Sequence, residues 1–216
     1  MSSVNISNMP LANNPSHEVE QTTCLEVPNH RWGLWWFLGG EVSVFGGLIA
    51  VFLLLRLRYP EWASEAAHTL TWVGSVNTII LLTSSLTMIL AHYYVTGAGA
   101  IGKSLKERSS RGAWMLLLTN LLGLSFLGLK AYGYSHEWSH GYTPMKNLFW
   151  GFYFFMTSLH ALHLVVGLIA NTVAWISLKK GRDLQRVESV GIYWHFVDLV
   201  WIFLFPLFYL EVGGLH

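Results

Sequence analysis

The stretch RWGLWWFLGGEVSVFGGLIAVFLLL, residues 31–55, contains a single acidic residue, Glu41, among mostly apolar side chains. A helix needs about 20 apolar residues to cross the ~30 Å hydrocarbon core of a bilayer. The stretch is long enough for that, and it is followed by Arg56, Arg58 and Pro60, which are typical of the membrane surface rather than its interior. It therefore predicts a membrane-spanning helix.

Four further apolar stretches follow, and the whole sequence is 53% hydrophobic and 12% charged, with a mean hydropathy of +0.42. A soluble domain usually carries about 25% charged residues. We therefore expect an all-α polytopic membrane protein, a bundle of five transmembrane helices. The predicted spans cover residues 31–55, 68–95, 112–132, 147–178 and 190–212.

The Lys and Arg residues are distributed unevenly between the two sides of such a bundle. Nine lie on the side of the N-terminus and four on the other. The positive-inside rule then predicts a cytoplasmic N-terminus and an outside C-terminus. Residues 1–30 are polar and contain three prolines, so we expect a mobile cytoplasmic tail before a transmembrane domain of residues 31–216.

The charge and cysteine content exclude some classes of function. A net charge of +1 provides no basic field for nucleic acid, so we expect no nucleic-acid partner. The single cysteine, Cys24, excludes an intramolecular disulfide. We expect the partners to be other membrane proteins and membrane lipids.

The first span carries its acidic residue near mid-membrane. Glu41 lies ten residues into the span, and a carboxylate at that depth costs roughly 2.5 to 3.5 kcal/mol on insertion scales. Intramembrane acids are usually functional, so both a proton-linked or lipid-linked role and a purely structural role stay open. Gly39, Ser43 and Gly47 form a ridge of small residues that lets another helix approach closely.

Three other spans also carry polar side chains, which we expect to face the interior of the bundle. In the fifth span, His195 and Asp198 have the i, i+3 spacing of a hydrogen-bonded pair. The predicted interior residues are His160, His163, His195, Glu188, Asp198 and Asn77. We interpret the histidines as hydrogen-bonded core groups.

Metal and haem sites are alternative interpretations of the histidines. His136, Glu137 and His140 match the H-E-x-x-H pattern of zinc proteases, but that pattern needs a helix, and we place it in a loop after the third span. His160 and His163 are under one turn apart, which is too close for two stacked haems. A single haem between two helices stays geometrically possible. We predict no metal ligand and no catalytic residue in this chain.

Three motifs lie in the second, fourth and fifth spans. Residues 187–209 contain an E followed by Y-W-H-F-V-D-x-V-W. Its members include Glu188, Tyr193, Trp194, His195, Phe196, Val197, Asp198, Val200 and Trp201. Thr157, His160 and His163 belong to a second motif, and Asn77 begins a third, N-T-x-x-L-L-x-S-S. In this order and spacing, residues 32–210 resemble subunit III of the haem-copper respiratory oxidases, in its five-helix bacterial form.

The chain departs from the family pattern at several positions. Gly40 stands where a Ser usually precedes the acid, and Ser158 replaces a Gly of the histidine motif. Lys130 and Gly133 stand where the third helix commonly has Gln and Glu, in a Q-x-x-E-Y motif of which Tyr134 remains.

The resemblance implies a non-catalytic accessory subunit of a proton-pumping cytochrome c oxidase, which reduces dioxygen to water in aerobic respiration. Haem and copper are then expected in a catalytic subunit I, with subunit II and small subunits as further partners, in the bacterial plasma membrane. Subunit III of this family supports proton uptake, stabilises the catalytic subunit and binds phospholipid in a cleft between its helix groups. Glu41 matches the intramembrane acid of that cleft.

Three alternatives remain at this point. The electron donor of the complex binds to other subunits, so the chain could equally serve a quinol oxidase. A related accessory protein of nitric oxide reductase shares the fold and similar motifs. A proton-coupled transporter is less well supported, because neither inverted repeats nor broken helices are evident.

Overall fold

The computed structural model describes residues 29–59, 61–66, 68–96, 101–180 and 185–209, and every helix or strand assigned within these ranges is an α-helix. The helices are α1 (Asn29–Arg58), α2 (Trp62–Ala66), α3 (Thr71–Val95), α4 (Leu105–Ser139), α5 (Leu148–Lys179) and α6 (Gln185–Tyr209). All but the short α2 are long and apolar enough to cross a membrane. The all-α fold with five spans is thus confirmed. The predicted tail lies almost wholly outside the described residues, as does the predicted end of the fifth span.

Helix α4 is longer than the third predicted span, residues 112–132. It begins after Ser104, whose hydroxyl caps the helix by accepting the Glu107 N–H at 3.3 Å. Glu107 and Arg111 form an i, i+4 ion pair at 3.1 Å on its first turns. The polar residues at both ends lower hydropathy without disfavouring helix, so a hydropathy criterion places both ends too far inward. The prediction that residues 136–140 form a loop is wrong, because α4 continues to Ser139.

Helices α3 to α6 form the core of the bundle around large aromatic side chains, among them the fully buried Trp194 and Trp201. Gly123 of α4 lets Trp194 come close, since a Cβ there would lie 2.9 Å from the indole and 2.9 Å from the Leu168 side chain. Gly167 of α5 faces the same indole, which a Cβ would approach to 3.2 Å. Trp194 therefore fills the space between α4 and α5.

Helix α1 is attached mainly through its second half. Phe52 is fully buried among aromatic rings, with centroids 4.8 Å from Phe208 and 5.1 Å from Trp62. Arg56 donates from Nη1 to the Leu207 carbonyl at 3.0 Å. In the first half, by contrast, most side chains are exposed, Trp36 by 81%.

The small-residue ridge of α1 faces away from the bundle. An added Cβ at Gly39 or Gly47 would meet no heavy atom within 4 Å in the described part of the chain. Ser43 is exposed, and its hydroxyl donates to the Gly39 carbonyl at 2.9 Å. The close helix approach that the ridge predicts is therefore not made by another described helix of this chain.

The short helix α2 ties the connection between α1 and α3 to the start of α5. The Glu65 carboxylate accepts hydrogen bonds from Asn147 Nδ2 at 2.9 Å and from Trp150 Nε1 at 2.8 Å. Asn147 is also the N-cap of α5, because its side-chain oxygen accepts the Trp150 N–H at 3.0 Å. One carboxylate thus holds both the cap and the first turn of α5.

Candidate functional site

Glu41 and His163, predicted separately as an intramembrane acid and an interior histidine, are in hydrogen-bond contact. Glu41 Oε2 lies 3.0 Å from His163 Nε2, and the side chains are 21% and 12% exposed. His163 Nδ1 lies 2.8 Å from the Leu159 carbonyl, which only accepts, so Nδ1 carries a hydrogen. Because Nε2 and Oε2 lie only 3.0 Å apart, one of the two atoms must carry a proton and donate it to the other. The donor is either the imidazole Nε2 or a protonated Glu41 carboxyl.

His160 lies one turn earlier on α5 but in a different environment. It is 1% exposed, and neither ring nitrogen has a hydrogen-bond partner among the described residues. The imidazole packs between aromatic rings, with centroids 5.2 Å from Trp201 and 5.7 Å from Phe126. The hydrogen bond expected for His160 therefore finds no partner among the described residues, where rings of α4 and α6 lie against the imidazole.

The predicted hydrogen bond between His195 and Asp198 does not form. His195 Nδ1 instead lies 2.7 Å from the Ser85 hydroxyl on α3. Asp198 is 4% exposed, and although Ser85 is near it, neither carboxylate oxygen has a hydrogen-bond partner among the described residues. The i, i+3 spacing allows the pair, but the facing α3 supplies a closer partner for His195.

Asn77 and Glu188 occupy different parts of the α3–α6 contact. Asn77 is fully buried, and its side-chain oxygen and nitrogen have no hydrogen-bond partner within the described ranges. Glu188 lines a cavity of about 150 Å³ together with His92 and His195. The polar residues predicted for the interior are thus distributed along the helix contacts and do not form one cluster.

The aromatic motif residues of α6 connect it to its neighbours. Trp194 Nε1 donates to the Ser84 hydroxyl at 3.1 Å, and Trp201 Nε1 donates to Thr78 Oγ1 at 3.0 Å, so both indoles bind α3. The Tyr193 hydroxyl donates to the His163 carbonyl of α5 at 3.0 Å. Phe196 packs, partly buried, against the hydrophobic core. These contacts give the motif a role in packing.

A buried cluster of charged and phenolic side chains was missed by the sequence reasoning. Lys130 and Glu137 of α4 are 2% and 1% exposed. Lys130 Nζ donates to the Tyr209 hydroxyl at 2.7 Å and to the Tyr153 hydroxyl at 3.1 Å, and the Tyr153 hydroxyl donates to Glu137 Oε1 at 2.8 Å. We call these four residues the Lys130 cluster. It joins α4, α5 and α6.

Aromatic rings surround the ammonium group of the Lys130 cluster. Nζ lies 4.6 Å from the ring centroid of Tyr153, 4.7 Å from Tyr134 and 5.5 Å from Trp201. Rings at such distances attract a cation through their negative faces. The usable signal in the sequence was the i, i+7 spacing of Lys130 and Glu137, which places both on one face of a helix that continues through residue 137.

The H-E-x-x-H side chains make separate contacts within the chain. The rings of His136 and His140 lie 4.3 Å apart, but Glu137 is buried and accepts the Tyr153 hydroxyl. His140 uses Nδ1 to bond the His136 carbonyl at 2.8 Å. Within the described ranges, no three His, Cys, Asp or Glu side chains come together as a metal site would require.

Comparison with known proteins identifies the family. The sequence matches the family described as Cytochrome c oxidase subunit III over residues 28–212. Cytochrome c oxidase subunit 3 of Thermostichus vulcanus is 37% identical over 86% of this chain and 89% of that protein. The protein of the same name from Alkalihalophilus pseudofirmus is 32% identical over 93% of this chain and 95% of its own length. A Staphylococcus haemolyticus protein named "Probable quinol oxidase subunit 3" is 32% identical over 84% of this chain and 88% of that protein. The match covers all five membrane-spanning helices, and the chain belongs to the cytochrome c oxidase subunit III family.

Proposed function

We propose that this chain is the non-catalytic subunit III of a cytochrome c oxidase that reduces dioxygen to water and pumps protons. The observation that carries the proposal is the family match, which extends through every described helix. Haem and copper would then lie in a catalytic subunit I, with subunit II and small subunits as further partners. The exposed apolar first half of α1 is a suitable surface for such neighbours. The complex would reside in the bacterial plasma membrane.

Within that complex, we assign Glu41 and His163 a role linked to proton uptake or lipid. The shared proton and the partial exposure of both side chains support exchange with a neighbouring subunit, lipid headgroup or water. Asp198, His160 and Asn77 are buried and have no hydrogen-bond partner among the described residues, so they fit a role in the interior better.

A quinol oxidase is the second candidate, because the Staphylococcus haemolyticus relative is as similar as one of the relatives named for cytochrome c oxidase. The residues that select the electron donor would lie on other subunits in either case. The sequence of this chain therefore does not separate the two.

Purification of the tagged chain from native membranes in mild detergent tests the proposal. We expect a many-helix, haem-containing subunit to co-purify and the complex to reduce dioxygen with reduced cytochrome c. Activity with quinol alone would assign the second candidate, and reduction of nitric oxide without dioxygen reduction would assign the related reductase. Purification without any haem protein would contradict all three.

A further inference from the structure

Two depressions adjoin each other on the outer surface of α4 and α5. The first has a volume of about 800 Å³ and lies where α4 begins and α5 ends. The second has a volume of about 460 Å³ and continues from it along the same two helices. Leu117 and Trp175 line both, so the two form one continuous surface, which we call the α4–α5 groove.

The end of the α4–α5 groove that lies at the start of α4 and the end of α5, which we call its upper end, is basic. Its described lining includes Lys106, Lys179 and Lys180, all of which are exposed. The described carboxylate next to Lys106 in the sequence, that of Glu107, is paired with Arg111 at 3.1 Å. Lys179 Nζ lies 4.1 Å from the centroid of Trp175, which holds its charge at the mouth. Three lysines therefore converge at this end, and none of the described lining residues is acidic.

The lower part of the groove is apolar. Its walls consist largely of Leu, Ile and Val side chains, such as Leu121, Leu124 and Val165. Its two polar members, Asn120 and Thr172, are hydrogen-bonded to each other at 3.3 Å. This part therefore suits a hydrocarbon chain and offers little to a polar ligand.

The dimensions of the groove correspond to one leaflet of a bilayer. From Trp114 to Leu124 and from Trp175 to Val165, ten residues of helix rise about 15 Å. That length is half of the ~30 Å hydrocarbon core. Trp114 and Trp175 lie at the upper end, and tryptophan prefers the level of the headgroups.

We propose that the α4–α5 groove binds an anionic phospholipid, with the phosphate among Lys106, Lys179 and Lys180 and an acyl chain along the apolar part. The charge selects this occupant, because an anionic phospholipid brings a net negative charge to the lysines. A zwitterionic lipid adds an ammonium group that offsets its phosphate, and an apolar helix of another subunit brings no charge at all. No lining residue belongs to α1, so this site is distinct from the surroundings of Glu41. The proposal does not depend on which electron donor the complex uses.

Photolabelling of the purified, delipidated complex that contains the full chain tests the proposal. The probe is phosphatidylglycerol with a photoreactive group on one acyl chain, and mass spectrometry locates the label. The test variant is Lys106→Gln/Lys180→Gln. The control is Lys103→Gln/Arg58→Gln, which removes the same charge from residues that do not line the groove.

We expect labelling within residues 117–124 and 165–173, and a weaker apparent affinity in the test variant only. Each lysine near an anionic headgroup contributes roughly five-fold, so the double variant should bind about 30-fold more weakly. Phosphatidylcholine carrying the same photoreactive group should label these segments poorly in every variant.

A second variant keeps the test informative if the lysine substitutions disturb folding. Leu121→Trp fills the apolar part without a change of charge, and it should reduce labelling while the complex still co-purifies intact. Equal labelling by the two phospholipids, an unchanged affinity in the lysine variant, or protection of the groove by a segment of another subunit would each overturn the proposal.

Discussion

Glu41 and His163 share one proton, and this links the behaviour of two residues that lie 122 positions apart in the sequence. Neither partner can keep the geometry once the other loses its polar group. A glutamate alone would face the apolar surroundings of α1 without its only described partner. The pair is therefore expected to act as one unit.

We expect Glu41→Gln and His163→Leu each to slow proton uptake by the complex, with the double variant no slower than the more severe single variant. Non-additivity follows because both changes remove the same shared proton. Rapid-mixing measurements with a pH indicator give the rates. The control is Ser43→Ala, whose hydroxyl only bonds within α1. Additive effects of the two substitutions would contradict a common proton.

Lys130→Met is expected to destabilise the protein by about 3 to 5 kcal/mol, because Glu137 then stays buried without its counter-charge. Reversible unfolding in mixed detergents gives the free energy. Lys130→Met/Glu137→Gln should recover part of the loss. The control, Lys146→Met, removes an exposed charge 3.8 Å from Glu65 and should cost less than about 1 kcal/mol. If the double variant lost as much free energy of unfolding as Lys130→Met and Glu137→Gln lose together, coupling between the two residues would be excluded.

The candidate site could be predicted in part from the sequence. Glu41 and His163 were identified because polar residues in apolar spans are conspicuous, but periodicity within one helix does not indicate which helices face each other. For the same reason His195 was paired with Asp198, although Ser85 of α3 lies closer. The Lys130 cluster was missed because Glu137 was placed in a loop.

Helix α1 depends on few contacts, and Phe52 supplies many of them. We expect Phe52→Ala to lower the free energy of unfolding by about 3 to 5 kcal/mol, since it leaves a cavity among aromatic rings. Hydrogen exchange should then increase in α1 before it increases in α4. Leu54→Ala, at a position that is 68% exposed, is the control and should have little effect. If hydrogen exchange in Phe52→Ala increased equally in all helices, the weak attachment of α1 would be contradicted.

Gly123 and Gly128 lie on the same helix, α4, and serve as a crowded test position and an open control position. A Cβ at Gly123 would meet Trp194 and Leu168 at 2.9 Å, whereas a Cβ at Gly128 would meet nothing within 4 Å. We expect Gly123→Val to cost about 1 to 3 kcal/mol through overpacking. Gly128→Val should cost much less, as measured by the thermal midpoint of the purified protein. Similar midpoints for the two variants would mean that α4 and α5 can separate to admit the side chain.

The five long helices were predictable because hydropathy and length are sufficient to identify membrane spans. Their ends were not, since α4 extends into polar segments that form helix by capping and ion pairing. The short α2 has only five residues and no hydropathy signal of its own. Helix α2 is held by the hydrogen bonds of Glu65 to Asn147 and Trp150. The sequence alone does not indicate these contacts.

The bundle is expected to lie in the membrane with its N-terminal side in the cytoplasm. Ile101 and Met145 are 80% and 95% exposed in connections on opposite sides of the bundle. In a Cys24→Ser background, an impermeant maleimide should label Met145→Cys in right-side-out vesicles and Ile101→Cys in inverted vesicles. The reverse pattern would contradict the positive-inside assignment.

The contacts of Lys130 also determine when, during translation, α4 can reach its final environment. Its phenolic partners follow it by 23 and 79 residues, and the second of these is at the very end of α6. While the nascent chain is being translated, α4 must enter the translocon with only Glu137 of the same helix to balance the Lys130 ammonium, before either phenol can bind it. Chains released before α6 is complete should therefore be poor at retaining α4 in the bilayer and become substrates for membrane quality-control proteases.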